Sequence, residues 1–435
     1  MHKTASPPKI VIVGGGAGGL ELATRLGRKL GKTNQAKITL IDPSRIHLWK
    51  PLLHEVVAGS LDTGMEALSY RAHSAENHYY FRLGKMDALD KEKRQIRLAP
   101  LVDHHGKQIL KPRHIDYDIL VMALGAHSND FGIEGVSEYC FKLDDAQEAE
   151  DFHLSFLNRF LQFSETAHSG EVVSIAIVGA GATGVELSAE LYNAVDRLEQ
   201  FGVENIHHKS LEVTLIEAAP RILPALEEDL ACKAQKTLEE LGVNIQLNKN
   251  VKQVTPYTLH TADGDIHADL LVWAAGIKAP EFLSHLALPV NRINQIEIDD
   301  SLLVKGEDNI YAIGDCAFLK PEEATRPVPP TAQAAHQMAK HCAQNITRQI
   351  TGKPLKQFKY CDHGALVSLS RFQTLGSLLD QLLHKHWVIE GKLAHWAYAS
   401  LYRQHQLAVH GYWKTLWILV ESLIERRIKP KLKLY

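Results

Sequence analysis

The chain has 435 residues, 45% of them hydrophobic and 23% charged, with a formal net charge of −3. That composition suits a folded protein of two or three domains and excludes both a disordered chain and a globally basic nucleic-acid binder. Five cysteines, Cys140, Cys232, Cys316, Cys342 and Cys361, stand far apart with no CxxC pair, which excludes a disulfide-stapled scaffold and points to a reducing compartment.

Residues 9–13 (KIVIV) read as a buried strand that runs into Gly14-x-Gly16-x-x-Gly19, and Leu20, Leu22, Ala23, Leu26 and Leu30 then recur at helical spacing. Strand, tight turn and helix in this order form a dinucleotide loop. Gly14 permits the turn, Gly16 lets a pyrophosphate approach the backbone, and Gly19 lets helix and strand pack closely. Asp42 closes the next strand, residues 38–42, where a carboxylate can accept from ribose hydroxyls. Residues 47–57 (HLWKPLLHEVV) form an apolar stretch interrupted by Lys50, Pro51, His54 and Glu55, expected as a helix start with Pro51 near its first turn. Short alternating strands follow at 79–84 and 95–98. A buried strand at 115–125 then ends in Ala123-Leu124-Gly125, a small-residue exit beside a bound cofactor.

After a helix expected around 145–162, the opening pattern returns. Residues 173–178 (VSIAIV) lead into Gly179-x-Gly181-x-x-Gly184 and a helix carrying Glu186, so the chain holds two dinucleotide sites. The partner acid of the second loop, Glu217, follows Gly184 by 33 residues, against the usual spacing of about 20. A long helix and the polar insert 202–210 account for the difference. Residues 270–276 end another strand at Gly276, and residues 310–315 end in Asp315, read as a cofactor contact in preference to a helix cap or a plain turn residue. Gln333 and Gln337 lie four apart on one helix face, beside Ala332 and Ala335, a composition suited to a flat uncharged ligand.

Residues 364–383 alternate apolar and hydroxyl groups without a nucleotide signature. In the tail Tyr412, Trp413, Leu416, Trp417, Val420, Leu423 and Ile424 fall on one helical face, and five cations follow within 426–433. Aromatic rings with a basic end are expected to lie in a membrane interface and meet anionic lipid; a core-capping or dimerising helix is the alternative. No apolar run reaches the length of a membrane span. The adjacent histidines at 104–105 and 207–208, without a metal motif, are expected on a solvated surface.

These features together resemble the type II NADH:quinone oxidoreductases of the enterobacterial type, members of the two-dinucleotide-binding-domain flavoproteins. The resemblance rests on the two glycine loops, Glu186 in GATGVEL, and the stretches LWKPLLHEV, VWAAGIKAP, YAIGDCA and VPPTAQAAHQMA. It implies an α/β fold of two Rossmann-like domains plus a C-terminal membrane-associating segment. The expected layout is an FAD-binding domain at 1–128 and 290–345, an NADH-binding domain at 150–278 and a quinone-site and anchoring region at 355–435.

The resemblance further implies that Gly14, Gly16, Gly19, Asp42, Lys50, Ala123, Gly125, Asp315 and Gln333 hold FAD. Gly179, Gly181, Gly184, Glu186, Glu217 and Gly276 would hold NADH. Glu186, Gln333 and Gln337 would border the reacting groups and a membrane quinone. No metal and no nucleic acid are implied. The protein is expected at the cytoplasmic face of a bacterial inner membrane, peripheral and not pumping protons, with a homodimer left open. Two rivals share the loops: a soluble NADH-dependent reductase of a small redox protein, and an NADH sensor acting by protein interaction.

Overall fold

The computed structural model describes residues 6–61, 67–103, 105–166, 171–322, 324–380, 385–390 and 392–428. The strand Lys9–Val13 is buried from Ile10 onward on both faces, as expected of a β-branched run in a parallel sheet. It is the centre of five parallel strands in the spatial order Ile310–Ala312, Ile119–Met122, Lys9–Val13, Lys37–Asp42, Tyr80–Leu83. The strand Val173–Val178 occupies the same place in a second sheet: Phe141–Lys142, Leu270–Trp273, Val173–Val178, Leu211–Ile216, Asn244–Gln246, again all parallel.

Each unit also carries an antiparallel three-stranded sheet, built from Met86–Asp90, Gln95–Leu98 and Arg113–Asp116 in the first and from Val251–Thr255, Thr258–Thr261 and Gly264–His267 in the second. The first sheet is finished by Ile310–Ala312, so the chain builds the second unit and then returns to complete the first.

The helix expected near 145–162 runs over Ala146–Thr166 and buries Phe152, Phe156, Phe160 and Phe163 along one stripe. The stretch at 47–57 is more broken than its sequence implies: a 3₁₀ turn Lys50–Leu52 with Pro51 inside it leads into the short helix Leu53–Val57. Pro51 sits in the first turn, where its missing N–H leaves no acceptor unpaired, and the turn is closed by Leu52 N–H donating to the Trp49 carbonyl at 2.9 Å. The alternating residues beyond 364 form an antiparallel sheet of Ala365–Leu369, Gln373–Asp380 and Lys385–Glu390. Two helices, Lys392–His410 and Tyr412–Ile428, follow with a turn at Gly411, whose φ is +81°. No described helix is long and apolar enough to cross a membrane.

Candidate functional site

The two glycine loops are built alike. Gly14 and Gly179 adopt φ of +103° and +106°, which side chains avoid. A Cβ on Gly19 would lie 1.9 Å from the Gly14 carbonyl oxygen, and one on Gly184 2.0 Å from that of Gly179, so helix and strand touch there. At Gly16 and Gly181 an added Cβ would meet nothing within 4 Å. These open positions are the N-caps of Ala17–Leu26 and Ala182–Gln200, and neither helix has a side-chain cap or an acid in its first turn. Unsatisfied N–H groups facing open space at a positive helix end fit a pyrophosphate.

The acids are also matched. Asp42 accepts from Gly15 N–H at 2.6 Å and Ser44 N–H at 2.7 Å, and Glu217 accepts from Ala180 N–H at 2.8 Å and Ala219 N–H at 2.9 Å. The long spacing before Glu217 therefore leaves it in the position of Asp42. Burial pushes the Asp42 carboxyl above its ordinary range, and the two N–H bonds oppose that rise. Arg221, four residues beyond Glu217, is turned away: its guanidinium donates to the carbonyls of Leu223, Pro224 and Leu226.

The first loop is braced from behind. The Gly15 carbonyl accepts from Tyr70 Oη at 2.7 Å and from His47 Nδ1 at 3.0 Å, and His47 Nε2 lies 3.1 Å from His405 Nε2. Because the carbonyl only accepts, Nδ1 of His47 carries the proton, and His405 Nε2–H donates to His47. Burial lowers His47 to about 4 and His405 well below its ordinary value, which keeps both neutral. The helix Lys392–His410 is thereby tied to the first glycine loop.

Beyond the first loop, Ala123 backs Gly14, since a Cβ on Gly14 would lie 2.2 Å from the Ala123 carbonyl oxygen. Gly125 turns at φ +68° and Gly276 at +62°, the latter beneath the Phe131 ring. Lys50 donates to the Ala126 carbonyl at 2.9 Å and pairs with Asp144 at 3.3 Å, bridging the first unit to the connection between units. Asp315 lies in the 3₁₀ turn Gly314–Cys316, so its backbone is that of a turn residue. Its carboxyl is raised by burial and pulled down by the Lys50 charge.

Glu186, Gln333 and Gln337 each bond one segment, residues 361–368, that carries no nucleotide motif. Gln337 accepts from Cys361 N–H at 3.0 Å and donates to the Cys361 carbonyl at 2.7 Å. Gln333 accepts from His363 N–H at 2.9 Å and donates to the Gly364 carbonyl at 3.2 Å. Glu186 accepts from Ser368 N–H at 3.0 Å, and its other oxygen lies 3.6 Å from His54 Nδ1. Residues 361–368 thus fasten the glutamine helix Ala332–Ile350 to the second glycine-loop helix.

Sequence reasoning missed this role for 361–368, and it missed His54, His47 and His405. His54 stands inside LWKPLLHEV but reads there only as a polar interruption. The pair at 207–208 lies at the surface as expected: His207 is exposed and bonds Ser210 at 2.6 Å, and His208, partly exposed, stacks on Tyr192 at 4.8 Å and bonds Asp196 at 2.7 Å. His104 lies outside the described residues. Among the described residues no three His, Cys, Asp or Glu side chains are grouped to hold a metal, and none of the five cysteines forms a disulfide.

In the last helix Tyr412, Trp413 and Trp417 are 83%, 80% and 70% exposed, with Leu416 and Val420 beside them, while Thr415 is buried and Lys414 pairs with Glu76 at 2.5 Å. The side chains of Leu423 and Ile424 and the cations at 426–433 lie outside what is described.

Comparison with known proteins agrees with this architecture. The pyridine nucleotide-disulphide oxidoreductase family matches residues 8–339. A type II NADH:quinone oxidoreductase of Haemophilus influenzae is 46% identical over 442 residues, covering 98% of this chain and 99% of that protein. One from Staphylococcus aureus is 31% identical, covering 86% and 90%. The NDH2 of Plasmodium falciparum solved in complex with NADH superposes with a TM-score of 0.81 at 20% identity, covering 98% of this chain and 99% of that one. The sulfide:quinone oxidoreductase of Aquifex aeolicus shares the fold with a TM-score of 0.71 at 18% identity, covering 97% and 96%. The chain belongs to the pyridine nucleotide-disulphide oxidoreductase family and, within it, to the type II NADH:quinone oxidoreductases.

Proposed function

We propose that the protein oxidises NADH and reduces a membrane quinone to quinol at the membrane surface, with FAD as its resident cofactor and without moving protons across the bilayer. The observation that carries this reading is the pair of matched phosphate loops whose domains are tied together by residues 361–368 at Glu186 and the two glutamines. FAD supplies the two-electron chemistry that links donor to acceptor. Gly14, Gly16, Gly19 and Asp42 would hold its adenosine diphosphate, with Lys50, Ala123, Gly125, Asp315 and Gln333 toward its other end.

NADH would lie on Gly179, Gly181, Gly184 and Glu217, with Gly276 and Glu186 toward the reacting ring. A carboxylate at the ribose accepts from a 2′-hydroxyl and repels a 2′-phosphate. Arg221 is committed to backbone carbonyls, which supports NADH over NADPH. Gln333 and Gln337 would position residues 361–368 along the quinone, which takes a hydride equivalent from the donor and a second proton from water.

The exposed aromatic face of the last helix supports peripheral seating on anionic lipid. The cytoplasmic face of the membrane fits this reading, since NADH is a cytoplasmic donor. The two rival readings gain no supporting observation. Steady-state NADH oxidation with a short-chain ubiquinone or with a ferredoxin as acceptor tests the assignment. Turnover is expected with the quinone; turnover with ferredoxin alone would replace the reading by the soluble-reductase one.

A further inference from the structure

A cleft of about 630 Å³ opens between the first glycine-loop helix, the glutamine helix and the helix Lys392–His410, away from both nucleotide loops. Its walls carry four fixed cations, Arg25, Arg28, Lys29 and Lys340, and no carboxylate. In a chain of net charge −3 this is a concentrated basic site. Two of the four are already engaged. Arg25 Nε donates to the buried Glu21 at 2.6 Å, a carboxylate shared with His336 Nδ1 at 2.6 Å. Arg28 donates to Asn77 and to the carbonyls of Ala408 and Val409. Lys29 and Lys340 are exposed and form no ion pair with a described residue. Like charges gathered in one concavity repel unless an anion joins them.

The position of the cleft indicates where that anion comes from. Tyr412 forms part of its wall and is also the first residue of the exposed face continued by Trp413, Leu416, Trp417 and Val420. A ligand with its phosphate among the cations would therefore have an apolar surface beginning at the mouth of the cleft. We propose that this cleft binds the phosphate of an anionic membrane lipid, held by Lys29 and Lys340 with Arg25 behind them, its acyl chains lying along Tyr412 and the aromatic face. The inference rests on the reading of the last helix as interfacial and adds to it a discrete headgroup site.

The test measures partitioning of the full-length, FAD-loaded protein onto phosphatidylcholine vesicles with and without phosphatidylglycerol. Wild type is compared with K29Q/K340Q, a control pair K252Q/K320Q that does not line the cleft, and W413S/W417S. At about 1 kcal/mol per cation near an anionic surface, K29Q/K340Q is expected to weaken binding to phosphatidylglycerol vesicles roughly 30-fold and to leave binding to phosphatidylcholine vesicles unchanged. The control pair should change little. Inorganic phosphate and glycerol phosphate should compete poorly, because they lack the chains that lie on Tyr412.

Equal losses from the two lysine pairs would reduce the effect to general surface charge and overturn the site. Full displacement by inorganic phosphate would make the ligand a free phosphate and overturn the lipid assignment. If W413S/W417S loses binding to both vesicle types while K29Q/K340Q keeps it, the interfacial helix stands and the cleft proposal falls. If the wild type binds neither vesicle type, both fall.

Discussion

Glu217 and Arg221 stand four residues apart and face opposite ways, one toward the second loop and one into its own turn. Glu217→Gln removes the charge and keeps the shape, so the loop N–H of Ala180 retains an acceptor. NADH KM is expected to rise about tenfold, near 1.5 kcal/mol for a charge-assisted bond to ribose, with the preference over NADPH narrowed. An unchanged cofactor ratio in steady-state kinetics would contradict the placement.

The glutamines make a different kind of prediction. Each spends its amide on the backbone of 361–364, so Gln333→Ala leaves His363 N–H and the Gly364 carbonyl without that partner. Quinone reduction should fall by about tenfold, as for two neutral hydrogen bonds together worth about 1–2 kcal/mol, while ferricyanide reduction stays near wild type. Parallel losses in the two assays would mean that Gln333 serves FAD alone.

The histidines predict an acid limit. His47 and His73 are each held down to about 4 by burial, against an ordinary value of 6.5. Between those values the unfolded chain binds more protons than the folded one. Their contribution to stability is therefore complete above pH 6.5 and is lost as pH falls toward 4. Protonating His47 would also set N–H against N–H at His405. Tm should drop from about pH 7 to about pH 5, and His405→Asn should flatten that slope; an identical slope in the variant would exclude the pair as its source.

At the scale of elements, the helix Lys392–His410 and the helix Tyr412–Ile428 are separable by function. The first carries His405 against His47, which braces the first glycine loop, and presents the Val409 carbonyl to His73 and Arg28. The second offers its aromatic face to the outside. A chain ending after Gly411 should keep FAD and lose vesicle binding, whereas one ending after Leu401 should lose FAD as well. Absorbance of the gel-filtered proteins checks this, and FAD retained by the shorter chain would refute the brace.

How legible each element is in the sequence follows from the range of the forces that make it. The loops are legible because glycine sterics and strand burial are local: Gly14 to Gly19 and Gly179 to Gly184 announce themselves. The last helix is legible because its aromatic residues repeat at helical spacing. Residues 361–368 are not, because their role lies in backbone N–H and C=O groups that any side chains could accompany. The His47–His405 contact spans 358 positions and leaves no local pattern.

Across the whole molecule, the chain places two copies of one glycine-loop design side by side and lets the first unit reclaim the strand Ile310–Ala312 after the second is built. That return brings the glutamine helix back against the opening helix: a Cβ on Gly18 would lie 3.3 Å from the Ala335 carbonyl oxygen. The two glycine-loop units are thus halves of one continuous structure, as the proposed transfer from donor to resident cofactor to acceptor requires. The most direct measurement of that claim is the anaerobic absorbance spectrum of the purified protein, first with NADH and then with a short-chain ubiquinone. The flavin bands should bleach with NADH and return on quinone addition, with one NAD⁺ and one quinol formed per cycle. Absence of flavin bands, or bands that stay bleached in the presence of quinone, would contradict it.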